Sequence, residues 1–564
     1  MRVGGKNDLK IGDIFKKKND NQDQRKISLE NVLIILIVCG VTIPMLTQSI
    51  MCNDELQYYY WSRQGFRKAV THFQEGWISQ GRFLASLFTP IWMWLSVVCE
   101  NTVVFRCISI ITILLNTSLF CKLIELLFES KPFAKMCFVG LLTFLPISYT
   151  PMAPNAYVVC FGIPFLCLLI SMIIYAKNLN NMKMKDIILM AIFMFVAFSS
   201  YEIFVTYVPL YCLIAIYKME IKNYKKIFQA SLPPVIIGCI YIVLYVFCRI
   251  IMPSYYPGNN ISFTLQGVVD ILKHLCGVSF PGYFLGNSHM QYLNNIMRNV
   301  QVIDYFRIFI VAIGTVVLIY IYILEKKREY TNHWFIDICI VMVAFLYTFL
   351  PALPISISGM YQNNVGSNTG FLALPVTYFT YYAAVFLCCY LLWKLLENCH
   401  KLFGIMLIII CVCFVQIPVQ YMNSNISIEQ HNSYEKIQRI EKFFKTNYIK
   451  SMPGVKIYSE DIFETHYSLG IHDSYWQDTM NILGINIVIQ KESKEKALID
   501  DEYYLRYNND YFFMESNELI IIANEQIMEE VILELKNGKL IKVKLSEPYI
   551  DEGYYVYELN KKDC

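Results

Sequence analysis

Charged residues are scarce in this chain. Asp, Glu, Lys and Arg make up only 16% of the 564 residues, whereas 56% are hydrophobic and the mean hydropathy is +0.41. This composition excludes an ordinary soluble fold. Apolar runs of roughly 15 to 24 residues recur along the chain, a pattern that is typical of a polytopic α-helical membrane protein. The formal net charge is only +3, and we expect no nucleic-acid partner.

Paired cysteines are also missing. The chain has 19 cysteines, but they show no CxxC spacing and no paired pattern in the polar regions. Many of them lie inside apolar runs. This distribution favours small buried hydrophobic residues over a disulfide framework or a zinc site.

No cleavable signal peptide is expected at the N-terminus. The N-terminal tail, residues 1–31, is mostly polar and contains a basic block: Lys16, Lys17, Lys18, Arg25 and Lys26. By the positive-inside rule this tail stays in the cytoplasm, and the first span therefore exits outward.

Eleven apolar runs are candidate membrane spans: 32–50, 103–122, 136–150, 156–176, 187–200, 203–217, 229–252, 303–324, 335–352, 371–393 and 404–422. Lys-rich loops alternate with loops that contain no Lys or Arg. The alternation is consistent only if the further run Phe83–Val98 lies on the outer surface as a helix. The sequence therefore predicts about eleven spans in a bacterial cytoplasmic membrane, with the N-terminus inside and the C-terminal region outside.

Two of these spans are short and form a hairpin. Each half of Ile187–Tyr217 has about 14 residues, or roughly 21 Å of helix, against a hydrocarbon core of about 30 Å. We therefore expect its tip, Ser199–Glu202, to lie below the outer surface of the membrane. A carboxylate at that depth requires a partner.

Two larger outer loops follow. Residues 253–301 are rich in Pro, Gly, Asn and Tyr, and residues 353–370 are neutral and rich in hydroxyl and amide groups. Such side chains suit hydrogen bonding to sugars, although a flexible linker has the same composition.

The character of the chain changes at Asn423. Residues 423–564 resemble an ordinary soluble α+β domain, which the topology places outside the cytoplasm. Asn432–Glu435 is a variant of the capping box and predicts the start of a helix. Strands and one hairpin turned at Asn537-Gly538 are predicted from local patterns: Val455–Tyr458, Ile485–Ile489, Leu519–Ile522, Ile532–Leu535 and Leu540–Val543.

The polar stretch after the first span is the strongest candidate for chemistry. This first outer loop, residues 51–102, holds Asp54 and Glu55 close to the membrane surface, where a carboxylate pair is costly to desolvate. Glycosyl transfer requires a base for the acceptor proton and cations for a departing phosphate. The loop supplies cations after the carboxylates: Arg63, Arg67, Lys68, His72 and Arg82. The alternative is that the two acids complement a helix dipole.

The tyrosine-rich stretch of this loop has two interpretations. Tyr58, Tyr59, Tyr60 and Trp61 are consecutive in the sequence. They suit an interfacial aromatic belt, and their rings suit stacking on a sugar equally well.

These features together resemble the integral-membrane GT-C glycosyltransferases. The acidic pair past the first span, the tyrosine-rich stretch, Gly81-Arg82-Phe83 and the short hairpin with Ser200-Tyr201-Glu202 are similar to the bacterial branch with serotype-converting glucosyltransferases. The resemblance covers about residues 30 to 420. It implies a GT-C-like fold for the membrane domain, residues 32–422, with the first outer loop catalytic.

The resemblance also implies roles for individual residues. Asp54 would be the general base or a metal-linked acid, with Glu55 assisting. The family's Asp-Asp pair is Asp54-Glu55 here, which leaves open which carboxylate is the base. Arg82 would contact phosphate or acceptor, and Glu202 would be an orienting acid or metal ligand. The alternatives are a structural clamp for Arg82, and for Glu202 a pairing with the loop backbone or with Arg82.

Further contacts to substrate are expected from Tyr58, Arg63 and His72. A divalent metal ion held by Asp54 and Glu202 is compatible with the resemblance, which leaves metal use undecided. The implied donor is a sugar on a polyprenyl phosphate, embedded in membrane lipid. The predicted reaction moves a hexose to a cell-surface glycan on the outer face. The alternatives are a polysaccharide polymerase or ligase, and a transporter or flippase of lipid-linked sugars.

Overall fold

The computed structural model describes most of the chain. The described residues are 29–46, 53–85, 94–95, 97–99, 102–145, 161–219, 223–254, 256–262, 264–278, 305–325, 334–366, 377–452, 454–464, 475–500, 502–508, 510–516, 519–528, 530–545 and 547–559. Most of the predicted surface helix Phe83–Val98 lies outside them, and so do residues 279–301 and 367–370 of the predicted outer loops.

Helices fill the described part of the N-terminal three quarters of the chain. The first nine described helices are α1 (Leu29–Leu46), α2 (Asn53–Arg63), α3 (Phe66–Ile78), α4 (Thr102–Phe128), α5 (Lys131–Thr143), α6 (Ile163–Asn178), α7 (Met184–Ser200), α8 (Val208–Lys218) and α9 (Tyr224–Ile251). Local signals set some of the starts. The Ser130 side chain caps α5 by accepting a hydrogen bond from Phe133 N–H, and a proline stands in the first turn.

The second group of helices completes this part. They are α10 (Leu265–Val278), α11 (Tyr305–Glu325), α12 (Trp334–Tyr347), α13 (Leu353–Ser356), α14 (Gly359–Gly366), α15 (Thr377–Asn398), α16 (Lys401–Cys411) and α17 (Ile417–Phe444). Each of the eleven predicted spans overlaps a helix.

Six helices of the described chain are long and apolar enough to cross a membrane: Val103–Phe128, Ile163–Asn181, Tyr224–Ile251, Trp334–Ser356, Tyr378–Glu397 and Lys401–Gln420. Two shorter apolar helices are Asn31–Ile43 and Phe309–Ile323. The helices support the predicted class of a multi-pass helical membrane protein. The count of eleven spans, the GT-C fold and the orientation stay predictions.

The short hairpin is present in the structure, and contacts of its helices show at which end of the membrane domain its tip lies. Helices α6 and α8 run parallel, because the Phe165 and Tyr207 rings are 6.3 Å apart and the Tyr175 and Tyr211 rings 5.2 Å apart. Helix α7 returns from the end of α6 through a short turn. The tip of the α7–α8 hairpin therefore lies at one end of the membrane domain, and Lys218 lies at the opposite end.

The long helix that leaves the membrane domain corrects one prediction. The predicted helix start at Asn432–Glu435 is wrong, because α17 runs without a break from Ile417 to Phe444. Extending a helix that already exists costs less than nucleating a new one, so the local capping signal is overridden. The predicted domain boundary at Asn423 thus falls inside a continuous helix.

Side chains of α17 fasten the helix to the membrane domain. The Gln420 amide donates to Thr143 O and the Asn423 amide to Leu145 O, each at 2.9 Å. Both acceptors lie at the end of α5, where backbone carbonyls have no partner within the helix. A π-helical turn at Val412–Gln416 precedes this contact.

The C-terminal region folds as an α+β unit, and its predicted strands are confirmed. Its elements are α18 (Asn447–Lys450), β1 (Lys456–Tyr458), α19 (Tyr475–Leu483), β2 (Val488–Gln490), α20 (Lys494–Ile499), β3 (Tyr503–Tyr507), β4 (Tyr511–Glu515), β5 (Leu519–Ala523), β6 (Val531–Glu534), β7 (Leu540–Val543), β8 (Tyr549–Asp551) and β9 (Tyr554–Leu559). Seven strands form one sheet in the order β2-β1-β3-β4-β5-β9-β8, and β6 pairs with β7.

The sheet packs on the end of the long helix. β1 pairs in parallel with β2 and β3, and the other pairings are antiparallel. The Phe443 ring stacks on Phe512 at 4.2 Å, and the Phe444 ring lies 5.6 Å from the fully buried Trp476. The membrane domain and the C-terminal unit are thus joined by α17.

Candidate functional site

Arg82 and Glu202 form an ion pair at the tip of the α7–α8 hairpin. Arg82 Nε donates to Glu202 Oε2 at 2.8 Å, and Nη2 donates to Oε1 at 2.9 Å. Both side chains are largely buried, with exposed fractions of 21% and 26%. A two-point contact between guanidinium and carboxylate is both strong and directional. The structure thus joins two residues named from the sequence, in the pairing that was one of the alternatives for Glu202.

The loop backbone before Arg82 makes a sharp turn. Gly81 has φ = +79°, a conformation that favours glycine. Arg82 N–H donates to Trp77 O at 2.9 Å, and Tyr241 Oη donates to Gly81 O at 3.2 Å. Leu84 N–H then donates to Ser199 O, so the loop is hydrogen-bonded directly to the end of α7. These contacts hold the guanidinium over the hairpin tip.

Gly81→Ala is expected to destabilise the protein by about 2–5 kcal/mol, since the left-handed backbone costs about 1–2 kcal/mol and overpacking a further 1–3. A Cβ at this position would lie 2.2 Å from the Tyr245 ring. Thermal unfolding of the purified protein measures the loss. Gly76→Ala is the control, because nothing lies within 4 Å of its Cβ position. Equal unfolding temperatures of the two variants would contradict the prediction.

Tyrosine rings surround the ion pair. The Arg82 guanidinium carbon lies 4.5 Å from the centre of the Tyr201 ring. Arg82 also interacts electrostatically with Tyr361, and Tyr361 Oη lies 3.3 Å from Tyr256 Oη. These rings offer flat apolar faces with hydroxyl groups at their edges. Such a recess is suited to a polar ligand that also has apolar faces.

The two late outer loops meet at this recess. Gly359 N–H donates to Asn260 O and Ser358 Oγ donates to Gly258 O, at 2.8 and 2.7 Å. The Gln362 amide donates to Ser262 O at 2.9 Å. Segment 256–262 therefore holds α14 in place beside Arg82. The described parts of both polar loops, which sequence analysis singled out, contribute to one site.

The charge state of the pair follows from its surroundings. Burial by itself would lower the pKa of the Arg82 guanidinium, but the charge and hydrogen bonds of Glu202 more than offset this, and the pKa lies well above its ordinary value. Burial raises the pKa of Tyr361 well above its ordinary value. At neutral pH Arg82 is a cation and Tyr361 keeps its proton. Arg82 Nη1 has no hydrogen bond among the described residues and can donate to a ligand.

Two buried polar atoms close to the pair have no hydrogen-bond partner within the described part of the chain. They are Gln80 Oε1 and Ser199 Oγ. Each belongs to a residue within three positions of Arg82 or Glu202. A buried polar atom without a partner is costly, and a ligand hydroxyl is one way to satisfy it.

Two of the three further predicted substrate contacts, Tyr58 and His72, lie in an aromatic cluster of α2 and α3. The Tyr58 ring is buried and lies 4.8 Å from Phe73 and 5.9 Å from Trp77. His72 stacks on Trp61 at 3.7 Å. This packing gives both side chains a structural role in joining the two helices.

Arg63, the third of these residues, faces the C-terminal unit. Arg63 Nη1 lies 3.7 Å from Glu441 Oε1, and Tyr60 Oη donates to the same oxygen at 2.9 Å. The Tyr60 ring packs edge-on against Tyr475 at 4.4 Å. Burial, and then the Glu441 carboxylate, raises the pKa of Tyr60 well above its ordinary value. The first outer loop is therefore anchored to α17 and α19.

Tyr60→Phe is expected to loosen this anchor. The change leaves the Glu441 carboxylate with one partner fewer, at a cost of about 1–3 kcal/mol, because charged acceptors make the stronger hydrogen bonds. Limited proteolysis between α2 and α3 reports the loosening as faster cleavage. Glu435→Gln, on the same helix but exposed and 3.6 Å from Arg439 one turn later, is the matched control. Unchanged cleavage of Tyr60→Phe would contradict the anchor.

Asp54 and Glu55 lie in the first turn of α2, which begins at Asn53. An acidic pair there complements the helix dipole. Their side chains lie outside the described residues, so their approach to Glu202 stays a prediction. Contacts connect the helix to the pair: α2 carries Tyr58 one turn later, Tyr58 packs on Trp77, and Trp77 O accepts from Arg82 N–H.

No group of three or more His, Cys, Asp or Glu side chains suited to a metal ion occurs among the described residues. The predicted metal ligands include Asp54, whose side chain lies outside the described residues. Metal use therefore stays a prediction.

Tyr256, Tyr361 and Glu441 were not predicted from the sequence as residues of the site. Tyr256 and Tyr361 do lie in the two polar loops that sequence analysis singled out, so composition was a usable signal for them. Glu441 sits among the polar residues of a long helix and carries no local signal. Its partner Tyr60 is 381 residues away.

Comparison with models of known protein families gives no match, and comparison with curated proteins gives none either. The resemblance to GT-C glycosyltransferases therefore rests on the motifs alone. The geometry around Arg82 is the basis for a functional proposal.

Proposed function

We propose that this chain is an integral-membrane glycosyltransferase. It transfers a hexose from a polyprenyl-phosphate donor to a glycan at the outer face of the membrane. The observation that carries the proposal is the Arg82–Glu202 ion pair, held at the tip of a short membrane hairpin and surrounded by tyrosines from three loops. A cation at that position suits a lipid phosphate, because the phosphate of a membrane-bound donor cannot rise far above the headgroups.

The proposed chemistry is a displacement at the anomeric carbon. The acceptor hydroxyl oxygen forms the new bond as the bond to the phosphate oxygen breaks, and the phosphate leaves with the electron pair. Asp54 takes the acceptor proton as general base, with Glu55 assisting. Arg82 stabilises the negative charge on the departing phosphate through its remaining N–H groups.

Glu202 has an orienting role in this mechanism. Its carboxylate holds Nε and Nη2 of Arg82, which leaves Nη1 directed to another acceptor. A guanidinium fixed before the substrate arrives needs less reorganisation when the phosphate departs. Tyr201 and Tyr361 supply the sugar's apolar contact and hydroxyl partners.

The test uses purified protein and a radiolabelled polyprenyl-phosphate hexose in liposomes. Label on an added glycan supports the proposal, whereas movement of label across the membrane without a new linkage supports a transporter. Label that lengthens a lipid-linked polymer supports a polymerase or ligase. Absence of labelled glycan from every surface-glycan preparation of the source cell would overturn the proposal.

A further inference from the structure

A cavity of about 480 Å³ lies in the membrane domain, away from the Arg82–Glu202 pair. Its walls come from α4, α6, α8, α12 and α15. They are almost wholly apolar, with Leu213, Ile340, Val343 and Phe386 among the lining residues. The size is typical of sites for small organic ligands, which range over about 300–1,000 Å³.

The cavity is closed at one end and open at the other. At the closed end, Phe165, Phe379 and Tyr382 are fully or almost fully buried. At the open end, Phe335 is 64% and Ile216 is 44% exposed. The open end lies beside Lys218, at the end of the membrane domain opposite the hairpin tip. The mouth therefore faces away from the Arg82–Glu202 recess.

Two groups of charged side chains lie beside the open end of the cavity, its mouth. Lys218 Nζ lies 2.9 Å from Glu129 Oε1, and Lys394 Nζ lies 3.3 Å from Asp337 Oδ1. Tyr390 Oη donates to the same Asp337 oxygen at 2.6 Å. Charged side chains avoid the hydrocarbon core, so these pairs place the mouth near the headgroups. Lys394 also pairs with Glu397 at 3.1 Å, whereas the Lys218 ammonium keeps further N–H donors for a phosphate oxygen.

The apolar walls favour a hydrocarbon ligand in this cavity. An empty cavity of this size would be strongly destabilising, because its walls lose their contacts in proportion to the void volume. Water is a poor filling, because each molecule needs two to four polar partners. The hydroxyls of Tyr347 and Tyr382 already engage Thr206 O and Tyr378 Oη.

The length of the cavity fits an acyl chain. Along α12 the lining runs from Phe335 to Tyr347, about 18 Å of helix and more than half of a hydrocarbon core of about 30 Å.

We infer that this cavity holds an acyl chain of a membrane glycerophospholipid, with its glycerophosphate beside Lys218. The chain enters from the leaflet at the open end and reaches the aromatic side chains under the hairpin. Phe379 contacts Phe204 at 4.8 Å, so a filled cavity supports the floor of the hairpin from below. This lipid is distinct from the proposed donor, whose phosphate would lie at the opposite end.

The test is photolabelling in liposomes that contain a phosphatidylglycerol with a diazirine on a palmitoyl-length chain. Mass spectrometry then locates the label. The expected result is strong labelling of α8, α12 and α15 peptides from the cavity walls, and weaker labelling of the broadly lipid-exposed helix α9. Excess unlabelled phosphatidylglycerol should compete.

Cys339→Trp narrows the mouth and is expected to reduce labelling of the cavity peptides about tenfold, equivalent to a weakening of about 1.4 kcal/mol. Cys239→Trp, at an exposed cysteine of α9 that does not line the cavity, is the matched control. Ala383→Phe fills the cavity from a second wall and should act like Cys339→Trp. Size-exclusion profiles identify any variant that fails to fold.

Two outcomes would overturn the inference. One is labelling of the wild-type cavity peptides no stronger than that of α9. The other is competition by unlabelled polyprenyl phosphate but not by phosphatidylglycerol, which would assign the cavity to the donor lipid. Asp54→Asn should leave the labelling unchanged, so the lipid site is tested independently of glycosyl transfer.

Discussion

Asp54→Asn is expected to abolish transfer of the sugar to the glycan while membrane insertion and abundance stay normal. A general base contributes about 10²–10⁴-fold to the rate, and Asn cannot accept the acceptor proton. The side chain keeps its size and its place in the first turn of α2, so the fold should tolerate the change. Initial rates with a radiolabelled polyprenyl-phosphate hexose measure the loss.

Glu55→Gln is the matched control for this prediction. It removes the neighbouring charge from the same helical turn, and we expect it to retain a larger part of the activity. Loss of transfer in Glu55→Gln with an active Asp54→Asn would exchange the roles of the two carboxylates. Full transfer by both variants would refute a base in this loop.

Breaking the Arg82–Glu202 pair should have the largest effect on stability. Glu202→Gln leaves the largely buried guanidinium without its counter-charge, and loss of one partner of a buried pair costs about 3–5 kcal/mol. Arg82→Gln leaves the carboxylate alone and should cost a similar amount. Chemical or thermal unfolding in detergent measures both losses.

The double variant Arg82→Gln with Glu202→Gln separates structure from function. It contains no unpaired charge, so we expect it to recover most of the stability yet remain inactive, because the cation for the phosphate is gone. Glu125→Gln breaks a pair within one helix, with a Lys122 side chain that is 51% exposed, and should change stability by less than about 1 kcal/mol. An active double variant would show that Arg82 is only a structural clamp.

Local patterns predicted most elements of the fold. Each predicted span overlaps a helix, because a run of apolar residues can satisfy its backbone in the membrane only as a helix or a closed barrel. The hairpin at Asn537-Gly538 could also be predicted from a local pattern, since Gly538 adopts the φ of +82° that such a turn requires. The helix start at Asn432 was wrong because the preceding helix extends through it.

Only part of the candidate site could be predicted from the sequence. Arg82 and Glu202 were both named, and a pairing between them was one of the alternatives. Their two-point contact spans 120 positions of sequence, and no local pattern encodes such a distance. Tyr58 and His72 show the same limit, since no local pattern predicted that Tyr58 would pack on Phe73 and Trp77 or that His72 would stack on Trp61.

The sequence by itself determined the class of this protein, most of its helices and the place where polar and aromatic residues concentrate. These properties depend on hydropathy and on neighbours a few residues apart, where the backbone's own hydrogen bonding dominates. Only the tertiary structure decided which side chains meet, among them Arg82 with Glu202 and Tyr60 with Glu441. It also decided that an apolar cavity, open at one end, lies below the hairpin, because contacts and voids depend on how whole helices pack.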